Sequence, residues 1–392
     1  MSGRFAAAGE VAVVGYAHSP IRRSHDVELG VLTLRTIRAA VADAGLDIAA
    51  IDGFTTGALF PASSGLRLRD GIEIVTGDWV ADQLRIQPRW LCGFQGLGQI
   101  CGSVILATEA IASGAADYVV VHRAMYNPPT RYHTNAMTHA ADADQWSAPH
   151  GLWGPPSHMA LVYTEYMQRY GATREHMATV VTGGRRTGSE VPWSHWFGRP
   201  LERADYLSAR MIADPMSVLD CDIPVTGVGA FVLTSRERAS DLPHKPVYVA
   251  GYAQGRSTTV GGVGPWRLDD VEEGGRAVAR ILWENAGFGP ELVDVPQVYD
   301  AFSPFVYLWL EALGFCDRGE AFEYVQDPPV RGLPFQTGGG AIGNGRMHGV
   351  PQMLECYLQL AGRAGDRQLA RAEVGLACQA APSIGGVVVY ST

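Results

Sequence analysis

The chain has 392 residues, of which 47% are hydrophobic and 18% are charged, and its formal net charge is −9 at pH 7. This composition indicates a compact globular protein that is long enough for two core-bearing units. The acidic balance argues against nucleic acid or an anionic membrane surface as the main partner, and no apolar run approaches the roughly 18 residues that span a bilayer. No basic segment with a long apolar run opens the sequence, and the six cysteines lack paired spacing. We therefore expect a cytoplasmic protein with free thiols.

The first part of the chain alternates short apolar runs with helical patterns. Residues 10–17 and 51–57 are predicted to be strands, and the helix between them is expected to end at Gly45. A second helix is predicted over residues 100–112, and residues 118–121 follow as a buried strand. This order of strand, helix, strand, helix and strand is typical of an α/β layer fold.

The middle of the chain, about residues 126–200, has a different character. It is rich in Trp, His, Pro and Gly, with one helical run near residues 159–170. We predict an inserted lobe of loops and helices that covers a pocket. Four histidines in this lobe lack the i, i+4 pairing of a helical zinc site, so we expect no metal there: His133, His139, His150 and His158.

The last part of the chain repeats the pattern of the first. Residues 247–253 match residues 11–17 at an offset of 236, and residues 293–294 match residues 51–52 at an offset of 242. We therefore predict an internally duplicated α/β protein, in which the two halves face each other and bring their glycine-rich loops to one central cleft. The predicted halves are residues 1–242 and 243–392.

The most distinctive stretch is residues 337–349, in which six glycines surround Arg346 and His348. A helix is predicted to follow near residues 350–358, so the stretch would lie at a helix N-terminus, where unpaired N–H groups collect. Glycine lets a backbone approach a ligand closely, but a simple turn also needs glycine. The stretch is therefore either an anion-binding wall of the cleft or only a turn, and the internal repeat favours the wall.

A duplicated α/β unit with glycine loops at both helix starts resembles the thiolase superfamily over essentially the whole chain. The branch that it resembles most is the sterol-carrier-protein or lipid-transfer-protein thiolases. The resemblance is carried by residues 213–227, 298–303, 310–316 and 339–346. It implies a thiolase fold of layered αβαβα architecture, with a coenzyme A thioester as substrate and no further cofactor.

Two thiolase residues are missing from this chain. Leu97 falls where thiolases carry the nucleophilic cysteine, and Arg346 falls where they carry the histidine that activates it. Cys101, one helical turn later, is either a displaced nucleophile or a small apolar residue of the helix, and Cys378 is the other candidate thiol. In lacking both groups the chain resembles the steroid side-chain-cleaving aldolases, which share its Tyr-Asp-x-Phe and Gly-Arg-x-His-Gly segments. That resemblance implies retro-aldol cleavage of a β-hydroxyacyl-CoA, preferably a steroid side-chain thioester, into a ketone or aldehyde and a shortened acyl-CoA.

A retro-aldol reaction needs a base for the β-hydroxyl group, donors for the enolate and an acid for carbon. Tyr299 is the first candidate for proton transfer, beside Arg346 or His348, although it could instead be a half-buried tyrosine at a strand end. Asp300 is expected to orient the loop, and Val350 stands where related aldolases would carry a second tyrosine. The residues predicted to bind the substrate or its enolate are Leu97, Gly98, Gly340, Gly345, Gly385 and Gly386.

The resemblance also implies assembly with other chains. It predicts a homodimer that joins a partner protein, bearing an OB-fold and a zinc-ribbon, into a heterotetramer. Two other functions stay open at this stage. One is an acetyl-CoA acyltransferase or thiolase that uses Cys101 or Cys378, and the other is a non-catalytic acyl-CoA-binding scaffold subunit.

Overall fold

The structure is a computed structural model, and it describes residues 5–57, 69–94, 96, 98–127, 144–152, 154–255, 266–326 and 336–392. Its strands are β1 (Val11–His18), β2 (Gly53–Gly57), β3 (Trp90–Phe94), β4 (Tyr118–Met125), β5 (Met211–Ala213), β6 (Met216–Ser217), β7 (Gly227–Ser235), β8 (Val247–Gln254), β9 (Val295–Gln297), β10 (Val374–Gln379) and β11 (Gly386–Ser391). Its α-helices are α1 (Leu29–Asp43), α2 (Gly77–Leu84), α3 (Gln99–Ala112), α4 (Asp144–Ser147), α5 (Gly154–Tyr170), α6 (Arg174–Gly188), α7 (Arg203–Leu207), α8 (Arg236–Ala239), α9 (Leu268–Ala286), α10 (Pro304–Leu313), α11 (Ala321–Tyr324), α12 (Gly340–Asn344) and α13 (Val350–Leu360).

Within these residues, nine strands form one sheet in the order β3-β2-β4-β7-β1-β8-β11-β10-β9. The strands β2, β4, β7 and β1 of the first half correspond to β9, β10, β11 and β8 of the second. In both halves one equivalent pair is parallel, β2 with β4 and β9 with β10, and the other pairs among these eight strands are antiparallel. Strand β3 extends the first half and pairs in parallel with β2. This symmetric order confirms the duplicated α/β fold.

Helices α3 and α13 form a middle layer between the two halves of the sheet. Helix α3 packs on β2 and β4 and also on β10 and β11, and the core around it combines α13 with strands of both halves. Helices α1 and α2 cover the outer face of the first half, and α9 and α10 cover that of the second. The result is the αβαβα layering that the resemblance implied.

One aspartate in each half fixes the start of a strand in the same way. Asp52 accepts a hydrogen bond of 2.8 Å from the backbone N–H of Tyr118, the first residue of β4. Asp294 accepts one of 3.2 Å from the backbone N–H of Val374, the first residue of β10. Each carboxylate satisfies a donor at the point where the strand begins. The residues matched at an offset of 242 are therefore equivalent in structure as well as in sequence.

Two elements between residues 57 and 98 were missed by the sequence analysis. Helix α2 spans only eight residues, and its start is marked by Thr76, whose side chain accepts a hydrogen bond from the N–H of Trp79. Strand β3 lies at the edge of the sheet and is only half buried. Short runs of this kind do not carry a periodicity that separates helix from strand.

The inserted lobe includes α4 to α7, and α5 contains the helical run that was predicted there. Helices α5 and α6 share a core with α10, and α6 also packs against α12. Of the lobe histidines, His133 and His139 lie outside the described residues. The described ranges contain no group of three or more His, Cys, Asp or Glu side chains arranged to hold a metal ion. They also contain no helix with the length and apolar character needed to cross a membrane.

Candidate active site

The glycine-rich stretch folds into the short helix α12, which packs directly on the backbone of α6. A Cβ atom built at Gly188 would lie 2.6 Å from the Cα atom of Gly343, and one built at Gly343 would overlap the carbonyl group of Gly184. Real Cβ atoms cannot approach other atoms this closely. The glycines at this contact therefore allow two helices to touch, and residues 340–344 are helical where the sequence predicted a loop.

The N-terminus of α12 is occupied by the carboxylate of Asp300. Its Oδ1 atom accepts hydrogen bonds from the N–H of Ala341 at 2.6 Å and from Gln352 Nε2 at 2.9 Å, and Oδ2 accepts one from the N–H of Ile342 at 3.1 Å. Burial raises the pKa of Asp300 to about 7, and the two backbone N–H groups oppose this rise. The backbone N–H groups at the start of α12 therefore bind a carboxyl group of the protein itself. Asp300 is placed to orient the loop, as the sequence analysis expected.

Two predicted binding glycines in this stretch face protein groups. A side chain at Gly340 would overlap the carboxylate of Asp300, and one at Gly345 would lie 2.8 Å from Val225 and 3.2 Å from Ile21. Both positions require glycine for packing. Their contact with substrate stays a prediction.

The start of α3 meets the loop that precedes α13. The side-chain oxygen of Gln99 lies 2.7 Å from Nδ1 of His348, and the N–H of Ile100 donates a hydrogen bond of 2.7 Å to Oε1 of Gln379. A side chain at Gly349 would lie 2.9 Å from Ile100. These contacts confirm that the two loop-to-helix junctions converge between the halves of the molecule.

Three of the predicted enolate-binding glycines come together at the same place. A Cβ atom at Gly98 would lie 2.9 Å from the backbone nitrogen of Gly386 and 3.3 Å from the carbonyl carbon of Gly385. One at Gly386 would lie 3.0 Å from Cβ of Cys101. Leu97, the remaining member of the predicted set, lies outside the described residues.

His348 is a buried imidazole held between two arginines. Arg346 Nε donates a hydrogen bond of 3.0 Å to Nε2, and Nη2 of Arg123 lies 3.0 Å from Nδ1, which also contacts Gln99. Burial lowers the pKa of His348 well below its ordinary value, and the charges of Arg123 and Arg346 lower it further. The contacts with Arg346 and Gln99 are satisfied together by the neutral tautomer in which Nδ1 carries the proton and donates it to Gln99. Proton transfer by His348 therefore requires that one of these hydrogen bonds be exchanged for one to the substrate.

Tyr299 and Arg346 are joined through one short backbone segment. Tyr299 follows β9 and is 5% exposed. The N–H of Asp222 donates a hydrogen bond of 2.9 Å to the carbonyl oxygen of Ala301, and the N–H of Arg346 donates one of 2.9 Å to the carbonyl oxygen of Ile223. Residues 222–223 thus connect the Tyr299 loop with the Arg346 loop.

Three residues of the site were missed by the sequence analysis: Gln99, Arg123 and Asp222. Arg123 is 6% exposed and donates a hydrogen bond of 3.2 Å to the carbonyl oxygen of Gly57. The sequence contained a signal for Arg123 and Asp222. Arg123 is a charged residue near the end of an apolar strand, and Asp222 lies within residues 213–227, which carry the thiolase resemblance.

Cys101 and Cys378 are buried thiols. Neither side chain has exposed surface. The thiol of Cys101 donates a hydrogen bond to the carbonyl oxygen of Ala377, with Sγ 3.7 Å from that oxygen. Burial raises the pKa of both thiols well above the ordinary value. Because the thiolate is the nucleophilic form, this environment does not prepare either residue for attack on a thioester.

Comparison with known proteins agrees with this geometry. A family profile described as thiolase C-terminal domain-like matches residues 269–391. The 17-hydroxy-3-oxo-4-pregnene-20-carboxyl-CoA lyase of Mycobacterium tuberculosis is 32% identical over 369 residues, which cover 90% of this chain and 92% of the relative. The steroid side-chain-cleaving aldolase of Thermomonospora curvata is 31% identical over 367 residues, with coverages of 90% and 91%. A solved structure of an Ltp2-ChsH2(DUF35) aldolase superposes with a TM-score of 0.84 at 27% identity and covers 98% of both chains. The chain therefore belongs to the thiolase superfamily, in the sterol-carrier-protein-type branch together with the steroid side-chain-cleaving aldolases.

Proposed function

We propose that the chain is a carbon–carbon lyase that performs a retro-aldol reaction on a β-hydroxyacyl-CoA. The products are a ketone or aldehyde and a shortened acyl-CoA. The identity to a lyase and an aldolase over nine-tenths of the chain supports this reaction class. The reaction uses no cofactor, because the coenzyme A thioester is itself the substrate.

The observation that carries the proposal is a thiolase-fold site without an activated thiol. Cys101 and Cys378 are fully buried and have raised pKa values. The sequence resemblance places Arg346 where thiolases carry the activating histidine. Transfer of an acyl group through the enzyme needs a thiolate, whereas retro-aldol cleavage needs only proton transfer and enolate stabilisation. The site fits the second requirement better than the first.

Each predicted residue has a role in this proposal. Tyr299 transfers a proton, and Arg346 supplies the neighbouring positive charge. His348 is the second candidate acid or base, after exchange of a hydrogen bond. Asp300 orients the Tyr299 loop through α12. Backbone N–H groups near Gly98, Gly385 and Gly386 form the enolate hole, in which one donor is typically worth about 3 kcal/mol. Leu97, which the structure does not describe, stays a candidate for the same hole.

The substrate and partners are proposed from the relatives. The names of the two relatives point to a steroid side-chain CoA thioester. The structurally similar aldolase contains a DUF35 component. We propose that this chain also forms a homodimer and binds a partner protein with an OB-fold and a zinc-ribbon, giving a heterotetramer in the cytoplasm.

A turnover assay with matched variants tests the reaction. The chain, with and without its partner, is incubated with a β-hydroxyacyl-CoA steroid, and the ketone and the shortened acyl-CoA are measured by mass spectrometry. We expect Cys101→Ala to keep ketone release and Tyr299→Phe to reduce it by about 10²- to 10⁴-fold. An acyl adduct on Cys101 would overturn the proposal in favour of an acyltransferase. Binding of the thioester without product under any condition would favour a scaffold subunit.

A further inference from the structure

Asp222 differs from the two other aspartates that lie near it in the fold. Asp220 has both oxygens satisfied: Oδ1 accepts from Tyr206 at 2.7 Å and from Ser303 at 2.6 Å, and Oδ2 accepts from the N–H and the hydroxyl group of Ser217. Asp300 accepts three hydrogen bonds. Oδ2 of Asp222 is buried and finds no hydrogen-bond partner in the described part of the chain.

An unsatisfied buried carboxylate oxygen is costly to the fold. Asp222 is 8% exposed, and nearly all buried polar atoms in proteins are hydrogen-bonded. Leaving one acceptor unpaired destabilises the fold, and the cost is larger when the group is charged. Violations of this kind concentrate at functional sites. The hydrogen bond between Asp222 and Ala301 is made by the backbone, so it does not depend on the carboxylate.

Asp222 lies between the Tyr299 loop and the Arg346 loop. Its N–H is bonded to Ala301, two residues after Tyr299, and the next residue, Ile223, accepts a hydrogen bond from the N–H of Arg346. We infer that Asp222 is the general base of the retro-aldol reaction and that its free Oδ2 atom accepts the proton of the substrate's β-hydroxyl group. This role rests on the proposed function and divides the proton transfers of that reaction between Asp222 and Tyr299.

The electrostatic surroundings agree with a base that works near neutrality. Burial raises the pKa of Asp222 to about 7, and the positive charge of Arg346 opposes the rise. The other titratable groups that interact with it are Asp300 and Cys221, whose pKa values are raised mainly by burial and further by the charge of Asp222. A carboxylate with a pKa close to the working pH is a stronger base than an ordinary aspartate, and about half of it is still ionised.

The proposed step balances in atoms and electrons. The β-hydroxyl proton moves to Oδ2 of Asp222, and the oxygen electron pair forms the new carbonyl group. The pair of the Cα–Cβ bond moves into the thioester enolate as that bond breaks. Tyr299 then gives a proton to the α-carbon. Loss of the proton from Asp222 to solvent and uptake of one by Tyr299 restore the starting state.

The test compares Asp222→Asn and Asp222→Glu with the wild type, all with the partner bound. The wild type should show a limb in the pH profile of kcat with an apparent pKa near 7. Asp222→Asn should lower kcat by about 10²- to 10⁴-fold, keep KM within about 3-fold and lose this limb. Asp222→Glu keeps the acid and should recover part of the rate and show a limb at a shifted pH. Asp220→Asn is the matched control, because it removes a buried carboxylate that only holds structure and should lower thermal stability while the limb remains.

The outcomes separate this inference from the proposed function. Suppose that the wild type releases ketone and that the Asp222→Asn variant either has a near-normal rate or keeps the pH-profile limb near neutral pH. This result would overturn the role of Asp222 and leave the aldolase proposal standing. A wild type that releases no ketone from any β-hydroxyacyl-CoA would overturn both. Thermal unfolding of each variant shows whether a loss of rate reflects loss of fold. Asp222→Asn is expected to melt no lower than the wild type, because it removes a buried charge.

Discussion

The contact between α6 and α12 makes a quantitative prediction that separates packing from helix propensity. Gly183 and Gly188 lie on the same helix, but a side chain at Gly183 meets nothing within 4 Å, whereas one at Gly188 would lie 2.6 Å from Cα of Gly343. Replacing Gly183 by Ala should stabilise the helix by about 1 kcal/mol. Gly188 is the last residue of α6, so replacing it by Ala gains no more propensity than at Gly183. The change also forces two backbones apart, and overpacking of this kind costs about 1–3 kcal/mol or more.

The two alanine variants are compared by thermal unfolding. For a chain of 392 residues the unfolding entropy implies a shift on the order of 1 °C per kcal/mol. We expect Gly183→Ala to melt slightly above the wild type and Gly188→Ala to melt a few degrees below it, with reduced activity because α12 carries the contact to Asp300. Equal melting temperatures for the two variants would refute the view that glycine is needed at this contact.

Two further predictions follow from the buried aspartates. Asp300→Asn places an NH₂ group where a carboxylate oxygen now accepts a hydrogen bond from an N–H of α12. It should lower the free energy of unfolding, measured by denaturant titration, by about 1–3 kcal/mol. An unchanged midpoint of the titration would contradict the hydrogen bonds of Asp300. The stability of the wild type should fall as pH rises, because the pKa of Asp222 is raised from 3.8 to about 7 in the fold. The contribution is fully present below pH 3.8 and is lost as pH rises through about 7, a change of about 4 kcal/mol that Asp222→Asn should abolish. An identical pH dependence in the wild type and this variant would show that Asp222 does not titrate in this range.

The duplicated fold could be predicted because its signals are local and repeated. The helix stop predicted at Gly45 is confirmed, with a φ angle of +75°, and Gly287 ends α9 in the second half in the same way, with a φ angle of +79°. Apolar runs with such stops recur in the same order in both halves, and residues 51–52 and 293–294 precede equivalent strands. Agreement between local propensity and a second copy of the pattern leaves few alternative folds.

The direction in which the glycines face could not be predicted, because it depends on contacts far apart in the chain. Gly343 meets Gly184 and Gly188 of the inserted lobe, and Gly340 meets the carboxylate of Asp300. A ligand-binding loop and a helix–helix contact both require glycine, so composition alone does not separate them. The two glycine-rich junctions converge between the halves, as predicted, whereas binding of an anion or of substrate by residues 337–349 stays a prediction.

The distinction between Asp220 and Asp222 was also beyond the sequence. The two residues are neighbours in the chain, but the donors that satisfy Asp220 come from Tyr206 and Ser303, which only the fold brings to it. The resemblance marked the whole segment without separating the structural residue from the unsatisfied one. Hydrogen-bond satisfaction is a property of the assembled structure.

The most direct test of the account is the dependence of product formation on free coenzyme A. Retro-aldol cleavage consumes none, whereas thiolytic cleavage requires one molecule of the free thiol for each turnover. The measurement is the release of ketone and shortened acyl-CoA from a β-hydroxyacyl-CoA by the partner-bound chain, with and without added coenzyme A, together with the intact mass of the protein. If the chain is a retro-aldol lyase, we expect equal amounts of both products at a rate independent of free coenzyme A, with no increase in the mass of the protein. A rate that requires free coenzyme A and an acyl adduct on Cys101 or Cys378 would contradict it.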